Sequence, residues 1–164
     1  MASVFLILGS NLGNRFSNME EAKGFIGKEI GYIKSSSSFY ETEPWGFTDD
    51  NLFLNQVVEV ITVLGPFEIL EYIKHIEGTL GRVRNKERYS ARTIDIDILL
   101  YDDLELAAPE LTIPHLEMTK RRFVLEPLAE IAPDLVHPSL KKTVKQLLVE
   151  CGDGCRVNKV SSSF

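Results

Sequence analysis

Cysteine is scarce and long apolar runs are missing from this 164-residue sequence, and each shortage excludes a class of protein. The two cysteines, Cys151 and Cys155, supply only half the ligands of a structural zinc site, so we interpret them as ordinary reduced thiols. The longest apolar stretches, such as residues 4–8 and 98–101, are far shorter than the ~20 residues that cross a bilayer. The sequence therefore predicts neither a membrane-spanning bundle nor a disulfide scaffold.

Familiar targeting and nucleotide-binding signatures are also missing. The N-terminus has no basic segment and no cleavage site before Gly9, so we expect a first strand instead of a signal peptide, and a cytoplasmic protein. The turn after that strand, Gly9-Ser10-Asn11, does not match the Walker loop, and no G-x-G-x-x-G occurs. A bound nucleotide would therefore not be held by a P-loop.

The composition is that of a soluble globular domain, with 44% hydrophobic and 26% charged residues, which excludes disorder and collagen. Positive charge is concentrated in two short segments, although the formal net charge is −6: residues 82–92 carry five basic side chains and one acidic one, and residues 120–122 carry three basic ones. Grouped arginines offer planar forks to phosphate oxygens, which favours a nucleoside triphosphate as ligand. A solvated basic loop is the alternative.

The apolar patterns predict the element order β-α-β-β-α-β with short additions. Strands are predicted at residues 4–9, 32–40, 53–63 and 93–100. Helices are predicted from a Ser17–Glu20 capping box onward and at residues 67–80, 124–131 and 143–149. Residues 104–107 are expected to form a short hairpin partner after the Asp102-Asp103 turn. This order favours an α+β sandwich with a mostly antiparallel sheet and helices on its faces.

Two aspartates alternate with three isoleucines in residues 94–98. Because successive side chains of a strand point to opposite faces, Asp95 and Asp97 are expected to project together, roughly 6–7 Å apart. Carboxylates at this spacing can hold Mg²⁺ ions that also bind phosphate oxygens. A solvent-facing polar stripe is the alternative, but the arginine segment ends three residues earlier and would complement the acidic pair across a shared triphosphate.

A second candidate set combines aromatic rings with an amide. Trp45, Phe53 and Phe123 could stack on a flat heterocycle, and Asn55, inside an apolar strand, must find hydrogen-bond partners. Core packing is the alternative for the two phenylalanines. His115, which precedes the second basic segment, could donate to a phosphate or serve only in packing.

Taken together, these segments resemble the 6-hydroxymethyl-7,8-dihydropterin pyrophosphokinases, which move pyrophosphate from ATP to a pterin alcohol in folate biosynthesis. The resemblance runs nearly end to end. It rests on Leu8-Gly9-Ser10-Asn11-Leu12-Gly13, Ser38-Phe39-Tyr40-Glu41-Thr42, Phe53-Leu54-Asn55, Gly81-Arg82-Val83-Arg84, Arg92-Thr93-Ile94-Asp95-Ile96-Asp97-Ile98 and Pro114-His115. The G-R-x-R segment followed by an R-T-x-D-x-D-I strand is highly specific.

The resemblance implies a ferredoxin-like α+β sandwich formed by a single pyrophosphokinase domain over residues 1–164, with ATP as co-substrate. It implies two Mg²⁺ ions bound by Asp95 and Asp97, and it makes Arg82, Arg92 and Asp97 the expected catalytic residues. The residues that it places around ATP are Glu77, Arg82, Arg84, Arg88, Arg92, Ile98, Thr112, His115 and Arg121. The residues that it places around the pterin are Thr42, Pro44, Trp45, Phe53, Asn55, Asp95 and Phe123.

Several positions depart from the usual family pattern, namely Phe53, Lys74, Tyr89, Glu110 and Leu116. Phe53, for example, keeps the stacking surface of the family's common tyrosine but loses its hydroxyl. The implied reaction is an in-line attack by the pterin hydroxymethyl oxygen on the β-phosphorus of ATP, which releases AMP. We expect a monomer that binds these small molecules and neither nucleic acid nor a membrane.

Two other functions remain open. A nucleotidyltransferase is one, because Gly9-Ser10 followed by a D-x-D strand is also typical of that two-metal class, and it would release pyrophosphate instead of AMP. A ferredoxin-like RNA-binding module is the other, since such sheets often carry stacking aromatics. The acidic body and the lack of an aromatic RNP-type strand argue against the RNA-binding module.

Overall fold

The computed structural model describes residues 1–42, 52–81 and 93–161. Its strands are β1 (Ala2–Ser10), β2 (Tyr32–Ser36), β3 (Phe39–Thr42), β4 (Phe53–Thr62), β5 (Asp95–Tyr101), β6 (Leu106–Ala107), β7 (Thr112–Ile113) and β8 (Val157–Val160). Its helices are α1 (Arg15–Glu29), α2 (Pro66–Leu80), α3 (Arg122–Ile131) and α4 (Val144–Glu150), with a short 3₁₀ turn at Met118–Lys120. The predicted α+β class is confirmed.

The main sheet has the strand order β5-β1-β4-β3-β8, and β2 pairs with β4 beside β3. Every pairing described within it is antiparallel. β1 lies between β4 and β5, so each of the two crossover helices, α1 and α2, connects strands that are not neighbours. This is the arrangement of a ferredoxin-like sandwich.

Helices cover both faces of the sheet and divide the core in two. On one face, α1 and α2 pack on alternate residues of the central strands, with Leu6, Leu54 and Ile73 almost completely buried. On the other face, α3 and α4 cover a second cluster around Ile7 and Val57. Because the faces alternate along each strand, a side chain's position in the sequence decides which core or site it enters.

α2 follows its prediction closely, whereas α1 does not. Gly65 precedes Pro66 at the first turn of α2, and the apolar stripe of this helix is buried at Ile69, Ile73 and Ile76. α1 begins at Arg15, and its N-cap is Asn14, whose side chain accepts a hydrogen bond from the Ser17 main-chain N–H at 3.1 Å. The predicted Ser17–Glu20 capping box is therefore wrong, because Asn14 is the N-cap and Ser17 lies inside the first turn of the helix.

The regions after β5 also differ from their prediction. Residues 106–107 pair with residues 112–113, and not with β5. One side of β5 pairs with β1, and on the other side Leu99 accepts a hydrogen bond from the His115 main-chain N–H at 3.0 Å. The sequence patterns did not predict β8, which completes the far edge of the sheet against β3. In the three ranges that the structure describes, no helix is both long and apolar enough to cross a membrane.

Candidate active site

Asp95 and Asp97 lie on β5, an outer strand of the sheet, and on the face opposite its isoleucines. Ile94, Ile96 and Ile98 are buried, whereas Asp95 is partly exposed and Asp97 is exposed. The predicted alternation is thus confirmed. In the strand register, Asp95 lies opposite Gly9 and Asp97 opposite Ile7 on β1. The two carboxylates therefore lie on the same face of the sheet as α3 and α4.

Glu77, in the last turn of α2, brings a third carboxyl group to this edge. Its Oε2 accepts a hydrogen bond from the Ile96 main-chain N–H at 2.9 Å, and Ile96 separates the two aspartates. Burial and repulsion from Asp95 and Asp97 raise the pKa of Glu77 to about 7, although the Ile96 N–H acts in the opposite direction. Three carboxyl groups are therefore grouped at this edge of the sheet. Their oxygens are the hard ligands that a divalent cation such as Mg²⁺ prefers.

His115 and Arg121 contribute hydrogen-bond donors near the acidic pair. The Nδ1 atom of His115 accepts from the Glu117 main-chain N–H at 3.1 Å, so the proton of the neutral ring lies on Nε2. Burial, with help from the nearby Arg121 charge, lowers the pKa of His115, while Asp95 acts in the opposite direction. At neutral pH, His115 is accordingly an uncharged donor that lies within electrostatic reach of both Asp95 and Arg121.

Three residues of the predicted pterin set, Thr42, Asn55 and Asp95, come together in the main sheet. Asn55 on β4 lies opposite Gly9, so Asn55, Gly9 and Asp95 form one row across three strands, with roughly 10 Å between the outer two backbones. The Nδ2 group of Asn55 donates to Thr42 Oγ1 at 3.2 Å, and both side chains are buried. This contact fixes the orientation of the amide.

Gly9 leaves the space that the Asn55 amide occupies. A Cβ atom added at Gly9 would lie 2.9 Å from Asn55 Oδ1, which is closer than such atoms approach. A side chain at position 9 would therefore displace the Asn55 amide within the site. The sequence pattern at Gly9 shows a turn residue but gives no sign of this neighbour, which lies 46 positions along the chain.

The remaining described site residues are more dispersed. Phe53 is partly buried and lies opposite Thr42. Phe123 packs against the second core, and the Arg121 guanidinium lies 5.6 Å from the centre of its ring. Ile98 is buried in the first core, on the face opposite the aspartates, and Thr112 lies on β7.

A cleft of about 450 Å³ opens beside His115, between the β6–β7 hairpin and residues 137–140. Thr112 and His115 line it, and the two aspartates do not. Across the described ranges, no cluster of three or more histidine, cysteine, aspartate or glutamate side chains forms a ready-made metal site. Asp95 and Asp97 therefore provide a carboxylate pair and not a complete protein cage.

This geometry covers ten of the sixteen residues predicted to bind ATP or the pterin. The following lie outside the described residues: Pro44, Trp45, Arg82, Arg84, Arg88 and Arg92. The central expectation that the loop arginines face the aspartates is therefore still a prediction. Of the five arginines predicted for ATP, Arg121 is the one that the structure describes.

Comparison with known proteins identifies the family. The model of the 7,8-dihydro-6-hydroxymethylpterin-pyrophosphokinase (HPPK) family matches residues 5–133. The 2-amino-4-hydroxy-6-hydroxymethyldihydropteridine pyrophosphokinase of Porphyromonas gingivalis is 45% identical over 141 residues, which cover 84% of this chain and 95% of the relative. The enzyme of the same name from Bacillus subtilis is 42% identical over 159 residues, or 96% of this chain and 91% of the relative.

Longer proteins also contain a similar region. The Folic acid synthesis protein FOL1 of Dictyostelium discoideum is 37% identical over 96% of this chain, which spans only 24% of that protein. A crystal structure of Plasmodium falciparum HPPK-DHPS has a TM-score of 0.72 at 20% identity and covers 92% of this chain and 43% of its own. This likeness supports the fold. From the family match and the close relatives together, the chain belongs to the 7,8-dihydro-6-hydroxymethylpterin-pyrophosphokinase family.

Proposed function

We propose that this chain transfers a pyrophosphate group from ATP to 6-hydroxymethyl-7,8-dihydropterin, which gives the pterin diphosphate and AMP in folate biosynthesis. The observation that carries the proposal is the carboxylate pair of β5, which shares one sheet face with the Asn55 amide, and Asp95 also lies in the same strand row as Asn55. Membership of the pyrophosphokinase family supports the same reaction.

The pterin binds at the ends of β3 and β4. The Asn55 amide, oriented by Thr42, reads the polar edge of the bicycle, and Asp95 lies in the same strand row. Phe53 and Phe123 stack on its two faces. Pro44 and Trp45 complete this pocket from the segment that connects β3 to β4.

Asp95 and Asp97 would hold Mg²⁺, and the family resemblance suggests two ions. When bound there, Mg²⁺ supplies positive charge that neutralises the polyphosphate and acidifies a bound hydroxyl group. Glu77 supports this assignment, because burial and then repulsion from Asp95 and Asp97 raise its pKa, and a cation bound there would relieve that repulsion.

The phosphates of ATP bind to donors around the acidic pair. His115 donates through Nε2–H, since its Nδ1 is already an acceptor, and Arg121 supplies a guanidinium. Arg82, Arg84, Arg88 and Arg92 surround the same phosphates, with Arg82 and Arg92 as the catalytic pair. Glu77 and Thr112 complete the nucleotide site, and Ile98, whose side chain is buried in the first core, contributes main-chain groups only.

Transfer proceeds by in-line attack. The hydroxymethyl oxygen of the pterin forms a bond to the β-phosphorus, and the bond from that phosphorus to the oxygen bridging the α- and β-phosphates breaks. AMP leaves with that oxygen, and the hydroxyl proton passes to the carboxylate of Asp97. The arginines neutralise the charge on the transferring group, which is the main catalytic requirement of such a reaction.

Residues 1–164 form a single domain in this proposal, and they act as a cytoplasmic monomer on small-molecule substrates. The chain spans most of the Bacillus subtilis relative, which supports activity without a further domain. Neither nucleic acid nor a membrane is needed for the reaction.

The nucleotide product tests the proposal. The protein is incubated with MgATP and 6-hydroxymethyl-7,8-dihydropterin, and the nucleotides are separated by chromatography. We expect one AMP for each pterin diphosphate, and no AMP without the pterin. Formation of ADP would indicate a simple kinase, and release of inorganic pyrophosphate would indicate the nucleotidyltransferase reaction.

A further inference from the structure

Arg15, the first residue of α1, joins the two strands of the pterin pocket at the point where both end. Its Nη1 atom donates to Glu41 Oε2 at 2.7 Å and to the Leu52 carbonyl oxygen at 2.9 Å. The side chains of Arg15 and Glu41 are 23% and 22% exposed, so the ion pair is largely shielded from water. One nitrogen thus connects the end of β3 to the residue that precedes β4.

Both contacts adjoin residues of the proposed pterin site. Glu41 precedes Thr42, Leu52 precedes Phe53, and Thr42 lies opposite Phe53 in the strand register. Thr42 in turn accepts the hydrogen bond that orients Asn55. Displacement of this strand end would therefore move a stacking ring and an amide together.

Arg15 acts from the opposite face of the sheet. Side chains alternate along β3, so Glu41 points away from the face that carries Thr42. α1 packs on that same far face, with Met19, Ala22 and Ile26 in the first core. Arg15 therefore has no direct route to the pterin and can influence it only through the backbone of β3 and β4.

We propose that Arg15 is a positioning residue for pterin binding, an inference that rests on the proposed function. Among the described residues, Thr42–Phe53 is the last pair of the β3–β4 ladder, and the end of a ladder is where strands open most easily. The Arg15 bridge closes this end and holds the pocket in its binding geometry before the substrate arrives. Preorganisation of this kind improves binding, because the substrate need not order the strand end itself.

The test separates pterin binding from nucleotide binding and from folding. Arg15→Ala is expected to raise the KM for the pterin at least tenfold, while kcat at saturating pterin and the KM for ATP change less than threefold. Calorimetric titration with 6-hydroxymethylpterin, in the presence of Mg²⁺ and a non-hydrolysable ATP analogue, should show the same loss of affinity. Thermal unfolding verifies that each variant is folded.

Two further variants identify the contact responsible. Because one nitrogen makes both bonds, Arg15→Lys keeps a donor with enough hydrogens and should recover part of the lost pterin affinity. Glu41→Ala should also weaken pterin binding. The pterin KM of the Arg15→Ala/Glu41→Ala double variant should be at most twofold higher than that of Arg15→Ala alone. Lys23→Ala is the control, since Lys23 pairs with Glu20 within α1.

A pterin KM within twofold of wild type in folded Arg15→Ala would overturn the inference, and so would an equal rise in both KM values. A wild-type protein that makes no AMP from ATP and the pterin would overturn the proposed function instead. The two failures are therefore distinguishable.

Discussion

Asp97 is the residue on which the proposed chemistry depends most. Its carboxylate is exposed at the end of the sheet, so it contributes little to the stability of the fold. Asp97→Ala should lower kcat by about three orders of magnitude or more, because in the proposed reaction Asp97 is both a metal ligand and the proton acceptor. Steady-state AMP formation measures this loss, and urea unfolding should show a free energy of unfolding within about 1 kcal/mol of wild type.

Asp103→Ala is the matched control for Asp97. Asp103 is also an exposed aspartate, and it lies in the turn directly after β5. It should retain wild-type turnover. Equal activity of the two variants would contradict the assignment of Asp97 to the reaction.

Gly9→Ala is expected to weaken pterin binding without a large loss of stability. In Gly9→Ala, the new methyl group would meet Asn55 Oδ1 at 2.9 Å, and the side-chain amide can move away more easily than backbone could. The displaced amide loses its alignment with the pterin, so the pterin KM should rise roughly tenfold, the equivalent of one hydrogen bond. The KM for ATP should be unchanged in the same kinetic assay.

Gly24→Ala provides the comparison. Gly24 lies on the exposed side of α1, and nothing is within 4 Å of an added Cβ. This substitution should raise the free energy of unfolding by up to about 1 kcal/mol, as expected in a helix, and leave both KM values unaltered. If Gly9→Ala behaves like Gly24→Ala, the close approach at Asn55 has no role in binding.

At the scale of secondary-structure elements, Glu130 connects α3 to β3. Its carboxylate accepts hydrogen bonds from Ser38 N and Oγ at 3.0 and 2.7 Å and from Tyr40 Oη at 2.7 Å. Burial alone would raise the pKa of Glu130, but the bonds from Tyr40 and Ser38 outweigh it and lower that pKa below its usual value. The Ser38 and Tyr40 positions of the family motif thus have a structural role.

The lowered pKa sets the pH dependence of this contact. The native state favours the carboxylate, so its stabilising effect is complete above the ordinary pKa of 4.5 and is lost as pH falls through the native pKa. Glu130→Gln should therefore reduce the free energy of unfolding by about 1 kcal/mol at pH 7, a value that allows for solvent screening of this partly exposed group. Urea unfolding at pH 7 and pH 3 should show this difference shrinking in acid.

Glu21→Gln makes the same chemical change at an exposed position of α1. It should alter stability by less than about 0.5 kcal/mol at both pH values. A Glu130→Gln effect that stays constant from pH 7 to pH 3 would show that the carboxylate charge is not what holds α3 to β3.

Elements with a strong local pattern could be predicted, and those fixed by distant contacts could not. The apolar stripe of α2 and the alternation of β5 are local properties, and both match the structure. β8 has only four residues, of which Asn158 and Lys159 are polar, and it is a strand because β3 offers an unpaired edge. The start of α1 was misplaced because both Asn14 and Ser17 are good capping residues, and sequence spacing does not choose between them.

At the scale of the whole molecule, the candidate site lies at one end of the sheet, where the start of β5, the end of β1 and the start of β4 meet. The sequence predicted that Asp95 and Asp97 project together, because strand alternation is a local rule. It could not predict the Asn55–Gly9–Asp95 row, since this depends on the register of three strands that are far apart in the chain. The role of Glu77 came from the family resemblance alone, that of His115 was already suggested by its place before the second basic segment, and the Arg15 bridge had no sequence signal.

Transfer of the β- and γ-phosphates as one unit is the property that most directly tests the proposed reaction. ATP carrying radioactive phosphorus at the β position, and in a separate reaction at the γ position, is incubated with the protein, Mg²⁺ and 6-hydroxymethyl-7,8-dihydropterin. We predict that both labels enter the pterin product in equal yield and that AMP remains unlabelled. Label in the pterin from the γ position alone, or from neither position, would contradict pyrophosphoryl transfer at this site.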